Sequence, residues 1–181
     1  MNIYKSSLVL LTGSILLSTI TLAAPVVTFQ GEVAAQTCQA TINGQTNGIV
    51  LLPTVSVGEF TAKNNTAGLT PFTISISGCS GKDPELKIGT KFLGRNVTST
   101  GNLGNLASVS PAKNVAIQLT QTAAGTVPVV LNGITKVDGL ILPLNQASTS
   151  HQFGARYIVD EGTIPTPGAI TAVAEYTISY Q

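Results

Sequence analysis

Residues 174–181 read "AEYTISYQ", with Ala174, Tyr176, Ile178 and Tyr180 alternating with Glu175, Thr177, Ser179 and Gln181. A period of two is the pattern of a strand with one buried face. Chain ends are usually frayed and polar. An amphipathic strand here therefore raises the question of what it pairs with.

Working back from that end, the chain shows no long helical periodicity. In "PFTISISGC" Phe72, Ile74 and Ile76 face one way and Thr73, Ser75 and Ser77 the other. "NVAIQLTQ" repeats the pattern through Val115, Ile117 and Leu119, and "HQFGARYIV" through Phe153, Ala155, Tyr157 and Val159. "ELKIGTKFL" and "GIVLLPTV" are further strand candidates. Between them lie turn-forming stretches: "KNNTAG", "STGNLGN", "AAGTVP", "LNGITKVDG" and "DEGTIPTPG". Many short strands at this spacing predict an antiparallel sandwich or barrel of one domain. The first candidate strand, "PVVTFQGEV", mirrors the last. Val27, Phe29, Gly31 and Val33 alternate with Thr28, Gln30 and Glu32.

Composition narrows the function. Charged residues make up 9% of the 181 and the formal charge is +1, against about 25% charged in an average soluble protein. No basic field is available for nucleic acid. Few charges on many strands also leave sheet edges open to pairing with other chains.

Lys5 followed by "SSLVLLTGSILLSTITLAA" reads as a secretory signal peptide over residues 1–23. Thr21 and Ala23 are the small residues before a cut at Ala24. The alternative, an uncleaved anchor, fits less well: the run holds several hydroxyls and Gly13, and no cationic cluster follows it. Losing Lys5 brings the 9 basic residues down to 8, the number of acidic ones.

Export makes the two cysteines informative. An oxidising compartment favours pairing Cys38 with Cys79. The loop closed would be about 42 residues, stabilising by roughly 3–4 kcal/mol. Two cysteines and the single His151 are too few for a metal site.

At this point the chain resembles the pilin subunits of chaperone–usher fimbriae, the type 1-like rods of Gram-negative bacteria. "VTFQGEVAAQTC" is similar to the family's N-terminal extension and first cysteine, and "FTISISGC" to the strand carrying the partner cysteine. "FGARY" resembles a motif near the penultimate strands. "TPGAITAVAEYTISYQ" is similar to the C-terminal signature, with Gly168 and the penultimate Tyr180 in place.

The resemblance implies an all-β fold, an incomplete immunoglobulin-like sandwich lacking its last strand. The groove left open would be lined by a strand carrying Gly168, Ala172, Ala174, Tyr176, Ile178 and Tyr180. It would be filled first by a periplasmic chaperone and then by the donor strand of a neighbouring pilin subunit. That donor is the extension at residues 24–34, with Val27, Phe29, Gly31 and Val33 pointing inward, ahead of a pilin domain at 35–181. Strand addition of this kind joins backbone pairing to side-chain pockets. Val27, Phe29 and Val33 would each contribute roughly 1.5–3 kcal/mol. Gly31 would sit where the groove leaves no room for a side chain. Only Ala24 to Thr28 precede Phe29, so the donor strand must run on towards Cys38.

The implied partners are neighbouring pilins in a homopolymer, the periplasmic chaperone, the outer-membrane usher and a tip adhesin. No cofactor, metal or nucleic acid is implied.

Other chemistry is weaker. "SPAK" (Ser110–Lys113) matches S-x-x-K without its S-D-N and K-T-G companions, and reads as a turn. His151, Asp160 and any of many serines could be imagined as a triad, but nothing in the sequence places them together, and His151 reads as a surface residue at the start of a strand. "GNLGN" from Gly101 lacks the lysine of a phosphate loop. Asn64 and Asn96 head N-x-T sequons that read as loops in a bacterial chain. Arg156 reads as a structural residue, in an ion pair or a hydrogen bond to a neighbouring loop, rather than as a surface ligand contact. Tyr176 and Tyr180 read as groove lining rather than as a sugar platform. The expectation is a non-enzymatic structural subunit of an adhesive fimbria. The alternatives are a minor adaptor pilin and a monomeric, lectin-like β-sandwich.

Overall fold

The computed structural model describes residues 38–80, 85–162 and 164–180. The segments expected to be a signal peptide (1–23) and a donor extension (24–34), with Val27, Phe29, Gly31 and Val33, lie outside them.

Among the described residues there are eight strands: β1 (Gln39–Ile42), β2 (Thr66–Ser77), β3 (Glu85–Gly94), β4 (Val115–Thr120), β5 (Pro128–Val129), β6 (Ile134–Pro143), β7 (Thr149–Val159) and β8 (Ala174–Tyr180). A 3-10 turn at Val57–Glu59 is the one helical element, closed by a capping box between Ser56 and Glu59. The strands form two sheets, ordered β1-β2-β7-β4-β5 and β6-β3-β8, with every strand pair antiparallel.

Alternation places the core. Phe72, Ile74 and Ile76 from β2 meet Ile117 and Leu119 from β4 and Phe153 and Ala155 from β7 on the inner face of the larger sheet. Ile88 and Phe92 from β3 and Val137, Leu140 and Leu142 from β6 face them from the smaller one. Phe153 stacks on Phe72 with ring centroids 5.6 Å apart and meets Phe92 edge-on at 5.3 Å. Since Phe92 belongs to the other sheet, this aromatic trio ties the two layers together.

Two expectations shift. "LNGITKVDG" was read as a break, yet most of it is strand β6. The Asn132–Gly133 turn ends at Ile134, and the register with β3 slips only at Ile88/Gly89. Gly139 permits this with φ +145, and a Cβ there would lie 2.5 Å from His151 Cε1. "GIVLLPTV" has the composition of a strand, yet residues 48–55 form none. Pro53 within it has no N–H to offer a ladder, and none of the segment's backbone groups meets a described backbone partner.

The outer face of β4 and β7 holds a directed polar chain. Arg156 Nε and Nη2 donate to Gln118 Oε1 at 2.9 and 2.7 Å, and Nη1 donates to the Gly125 carbonyl at 3.0 Å. Gln118 Nε2 donates to Asn102 Oδ1 at 3.2 Å, and Asn102 Nδ2 to Asp160 Oδ1 at 2.5 Å. Two amides thus relay between a cation and an anion, the alignment in which hydrogen bonds reinforce one another. Arg156 is the structural donor expected of it.

Emptying the aromatic junction tests the two-layer core. Phe153, 1% exposed, replaced by alanine is expected to cost about 3–5 kcal/mol, read from urea unfolding of the disulfide-intact protein.

Candidate functional site: a groove between two sheet edges

β8 pairs with β3 along one edge, from Ile88↔Tyr180 to Gly94↔Ala174, and no other described strand lies beside it. Its apolar residues alternate as cleanly as those of β2, but they are buried differently. Phe72, Ile74 and Ile76 are 4%, 0% and 1% exposed, whereas Ala174, Tyr176, Ile178 and Tyr180 are only half-buried against the core. The same pattern with less cover marks a strand with a neighbour on one side only.

The stretch before β8 shows this at the level of single backbone groups. Ala169 N–H donates to the Ser110 carbonyl at 2.8 Å. The Ala169 carbonyl accepts from Ala112 N–H at 2.9 Å and from Asn105 Nδ2 at 2.8 Å. Thr171 N–H donates to Asn105 Oδ1 at 3.0 Å, and the Thr171 carbonyl accepts from Leu106 N–H at 2.7 Å. The Val173 carbonyl accepts from Arg95 N–H at 2.9 Å. Every one of these bonds falls on an odd residue and points away from the groove. Ile170 and Ala172 turn the other way, and among the described residues their N–H and C=O groups meet no partner.

Facing them is the extended segment 48–55, whose backbone likewise has no described partner. Between the two lies a groove of about 570 Å³. Val50, Leu52, Ile170, Ala172 and Tyr176 line its sides, and Phe72 and Phe92 form its floor. Ile49 and Leu51, 78% and 83% exposed, stand on its rim.

The tyrosines close one end. Cys38 N–H donates to Tyr180 Oη at 2.6 Å, and Tyr176 Oη donates to the Ala40 carbonyl at 3.3 Å and lies 3.4 Å from that of Thr46. β1, at the edge of the larger sheet, is thereby held to β8, at the edge of the smaller. The Cys38–Cys79 disulfide joins the same β1 to the end of β2, with Cα atoms 4.8 Å apart. Desolvation raises the Tyr176 and Tyr157 hydroxyls above their usual 10.

Of the residues expected to line the groove, Ala172, Ala174 and Tyr176 do so. Ile178 and Tyr180 continue along the same face of β8 beyond the groove. Gly168 does not line it: it precedes the wall, and a Cβ there would lie 2.5 Å from the Ser110 carbonyl oxygen. The other candidates disperse. Ser110 is a turn residue with φ +45. His151 Nε2 lies 2.7 Å from the Gln121 carbonyl, and its ring packs on Phe153. Asp160 instead meets Thr100 and Asn102. Among the described residues no group of three His, Cys, Asp or Glu side chains could hold a metal. Asn105 was not anticipated, because only the folded chain brings its amide beside residues 169–171.

The family model for fimbrial proteins matches residues 27–181. This chain belongs to the fimbrial protein family. It is 35% identical over 162 residues to the F17 fimbrial protein of Escherichia coli, covering 86% of each chain. It is 32% identical over 163 residues to the major fimbrial subunit SMF-1 of Stenotrophomonas maltophilia, covering 85% of this chain and 90% of that one. In fold it is similar to the P pilus rod subunit PapA, with a TM-score of 0.57 at 19% identity over 79% of this chain and 99% of that one. It is likewise similar to an antigen and type I fimbria protein of Burkholderia pseudomallei, with a TM-score of 0.55 at 23% identity over 81% and 100%. The sandwich is thus the immunoglobulin-like fold of chaperone–usher pilins. The fimbrial protein is a structural subunit, exported and assembled into an extracellular fimbria.

The partly desolvated hydroxyls of Tyr157 and Tyr176 give the fimbrial protein an alkaline limit. A phenol with a raised folded pKa keeps its proton longer than the unfolded chain does, so stability falls as the pH rises past 10. The melting temperature is expected to hold flat up to about pH 9 and then to drop. Tyr176→Phe should lessen that drop.

Proposed function

We propose that this fimbrial protein is the major, rod-forming subunit of its fimbria and polymerises by donor-strand exchange. In this reading residues 1–23 are a signal peptide, 24–34 a donor strand and 35–181 the pilin domain. The groove accepts a strand twice. A periplasmic chaperone supplies it during folding, and the 24–34 segment of the next copy supplies it in the fibre. The outer-membrane usher hosts the exchange, and a tip adhesin heads the polymer.

The observation that carries this reading is the one-sided bonding of residues 169–173 across an apolar groove from segment 48–55. An incoming extended strand would pair with the turned-away groups of Ile170 and Ala172 and fill the lining with alternate side chains. Val27, Phe29, Gly31 and Val33 have that alternation. Leaving such backbone groups unpaired in an apolar setting costs about 1–3 kcal/mol each, which favours an occupant over a permanently open groove. The likeness to a major fimbrial subunit along 90% of its length supports the rod role over that of a minor adaptor. Family membership favours a polymer over a free-standing lectin-like module.

Fusing "APVVTFQGEV" behind Gln181 through a short flexible linker should turn a poorly stable, self-associating mature chain into a stable monomer. An unfused chain that is already monomeric, with a cooperative melt, would overturn the reading. Within the fibre, Phe29→Ala should weaken the subunit contact by about 3–5 kcal/mol. Gly31→Val should leave the chaperone–subunit yield unchanged while blocking fibres. Tyr180→Ala, which alters the groove's own strand, should already lower that yield. Periplasmic co-expression followed by a fibre assay separates these outcomes.

A further inference from the structure

The outward bonds of residues 169–173 contain one irregularity. Five of their outward backbone groups are bonded, and four of these are met by backbone groups of Ser110, Ala112, Leu106 and Arg95. The fifth, Thr171 N–H, is met by a side chain, the carboxamide of Asn105 at 3.0 Å. That carboxamide is fully used. Oδ1 also accepts from Ala107 N–H at 2.9 Å, and Nδ2 donates to the carbonyls of Ala112 at 3.0 Å and Ala169 at 2.8 Å. A primary amide offers two donors and an acceptor with two lone pairs, and all four are engaged here.

We propose that Asn105 is a positioning residue of the acceptor groove: its side chain stands in for a missing strand residue and holds the 169–171 wall from behind, so that Ile170 and Ala172 present their backbone to an incoming strand. The inference rests on the groove reading above and adds how the groove keeps its shape. A wall that must leave one edge free cannot be fixed by pairing on both edges. It has to be fixed entirely from the other. Between Ala112, which serves Ala169, and Leu106, which serves Thr171, the chain turns through residues 107–111, and no backbone carbonyl there reaches Thr171 N–H. Asn105 bridges this break. It binds both flanks of the turn (Ala107 and Ala112) and both outward residues of the wall (Ala169 and Thr171) in one planar group. Its backbone is anchored close by. Gly104 N–H donates to the Asn96 carbonyl at 2.8 Å, and Leu103 exchanges two 2.8 Å bonds with Ile117.

The chemistry singles out a discriminating variant. Asn105→Asp keeps the shape and the acceptor for Thr171 and Ala107. It replaces the two-proton donor with an oxygen that, when ionised, faces the Ala112 and Ala169 carbonyls. Protonating that carboxyl restores one donor. The full mature chain is purified from the periplasm as its chaperone complex, and uptake of a synthetic peptide of residues 24–33 is followed in time. Wild type should take up the peptide. Asn105→Asp should do so about tenfold more slowly near pH 7.5, and the deficit should shrink to about threefold or less near pH 4.5, because the Ala112 and Ala169 carbonyls facing the new carboxyl favour its protonated form above the usual carboxylate range. A variant equal to wild type at both pH values, or equally slow at both, would overturn the role. Were the variant to yield no complex, amide exchange on the wild-type complex decides. Thr171 N–H should be protected, and exchange at the rate of an unstructured amide would refute the clasp. A wild-type complex that takes up no peptide at all would instead sink the groove reading, and the positioning role with it.

Discussion

A backbone that is satisfied along one edge and open along the other organises this molecule. In residues 169–173 the odd positions are bonded outward and the even ones face an apolar groove with nothing described to pair them. Buried amide and carbonyl groups without partners are costly, and a flat open edge invites association. For a globular monomer this would be a liability. For a fimbrial subunit it fits the strand exchange proposed above.

The rest of the fold keeps that edge in place without filling it. The aromatic trio of Phe72, Phe92 and Phe153 binds the two sheets at the centre. Tyr176 and Tyr180 span from β8 to β1 at one end, and the disulfide fixes β1 to β2. At the other end Asn105 and the turn it braces hold the wall. The groove is therefore braced at both ends and floored by Phe72 and Phe92. Its half-buried lining is the part whose burial depends on a neighbour.

The opposite face follows a different logic. The chain of amides from Arg156 to Asp160 fastens the loops around Asn102 and Gly125 to the central strands. Those bonds are made within the chain, while Asp160 Oδ2 is buried with no hydrogen-bond partner among the described residues. One molecule thus carries a bonded polar face and an open apolar groove.

Much of this was legible from residue order. The alternation in "PFTISISGC", "HQFGARYIV" and "AEYTISYQ" set the strands and their core faces, because a period of two admits one inward side. Two cysteines behind an export signal pointed to the bridge between Cys38 and Cys79. The terminal strand also announced a face in need of cover. Folding decided the rest, through contacts distant in sequence. Residues 48–55 have the composition of a strand, yet the fold brings their backbone no described backbone partner. "LNGITKVDG" looks like a break, yet β3 supplies a ladder that outweighs its turn residues. Asn105 lies in a loop with no motif to mark it, and gains its role only because residues 169–171 lie against it, 64 and 66 positions on. Periodicity reports which face of a strand is apolar. Only tertiary structure reports which edge is left unpaired, because the groups that satisfy the other edge lie far away in sequence.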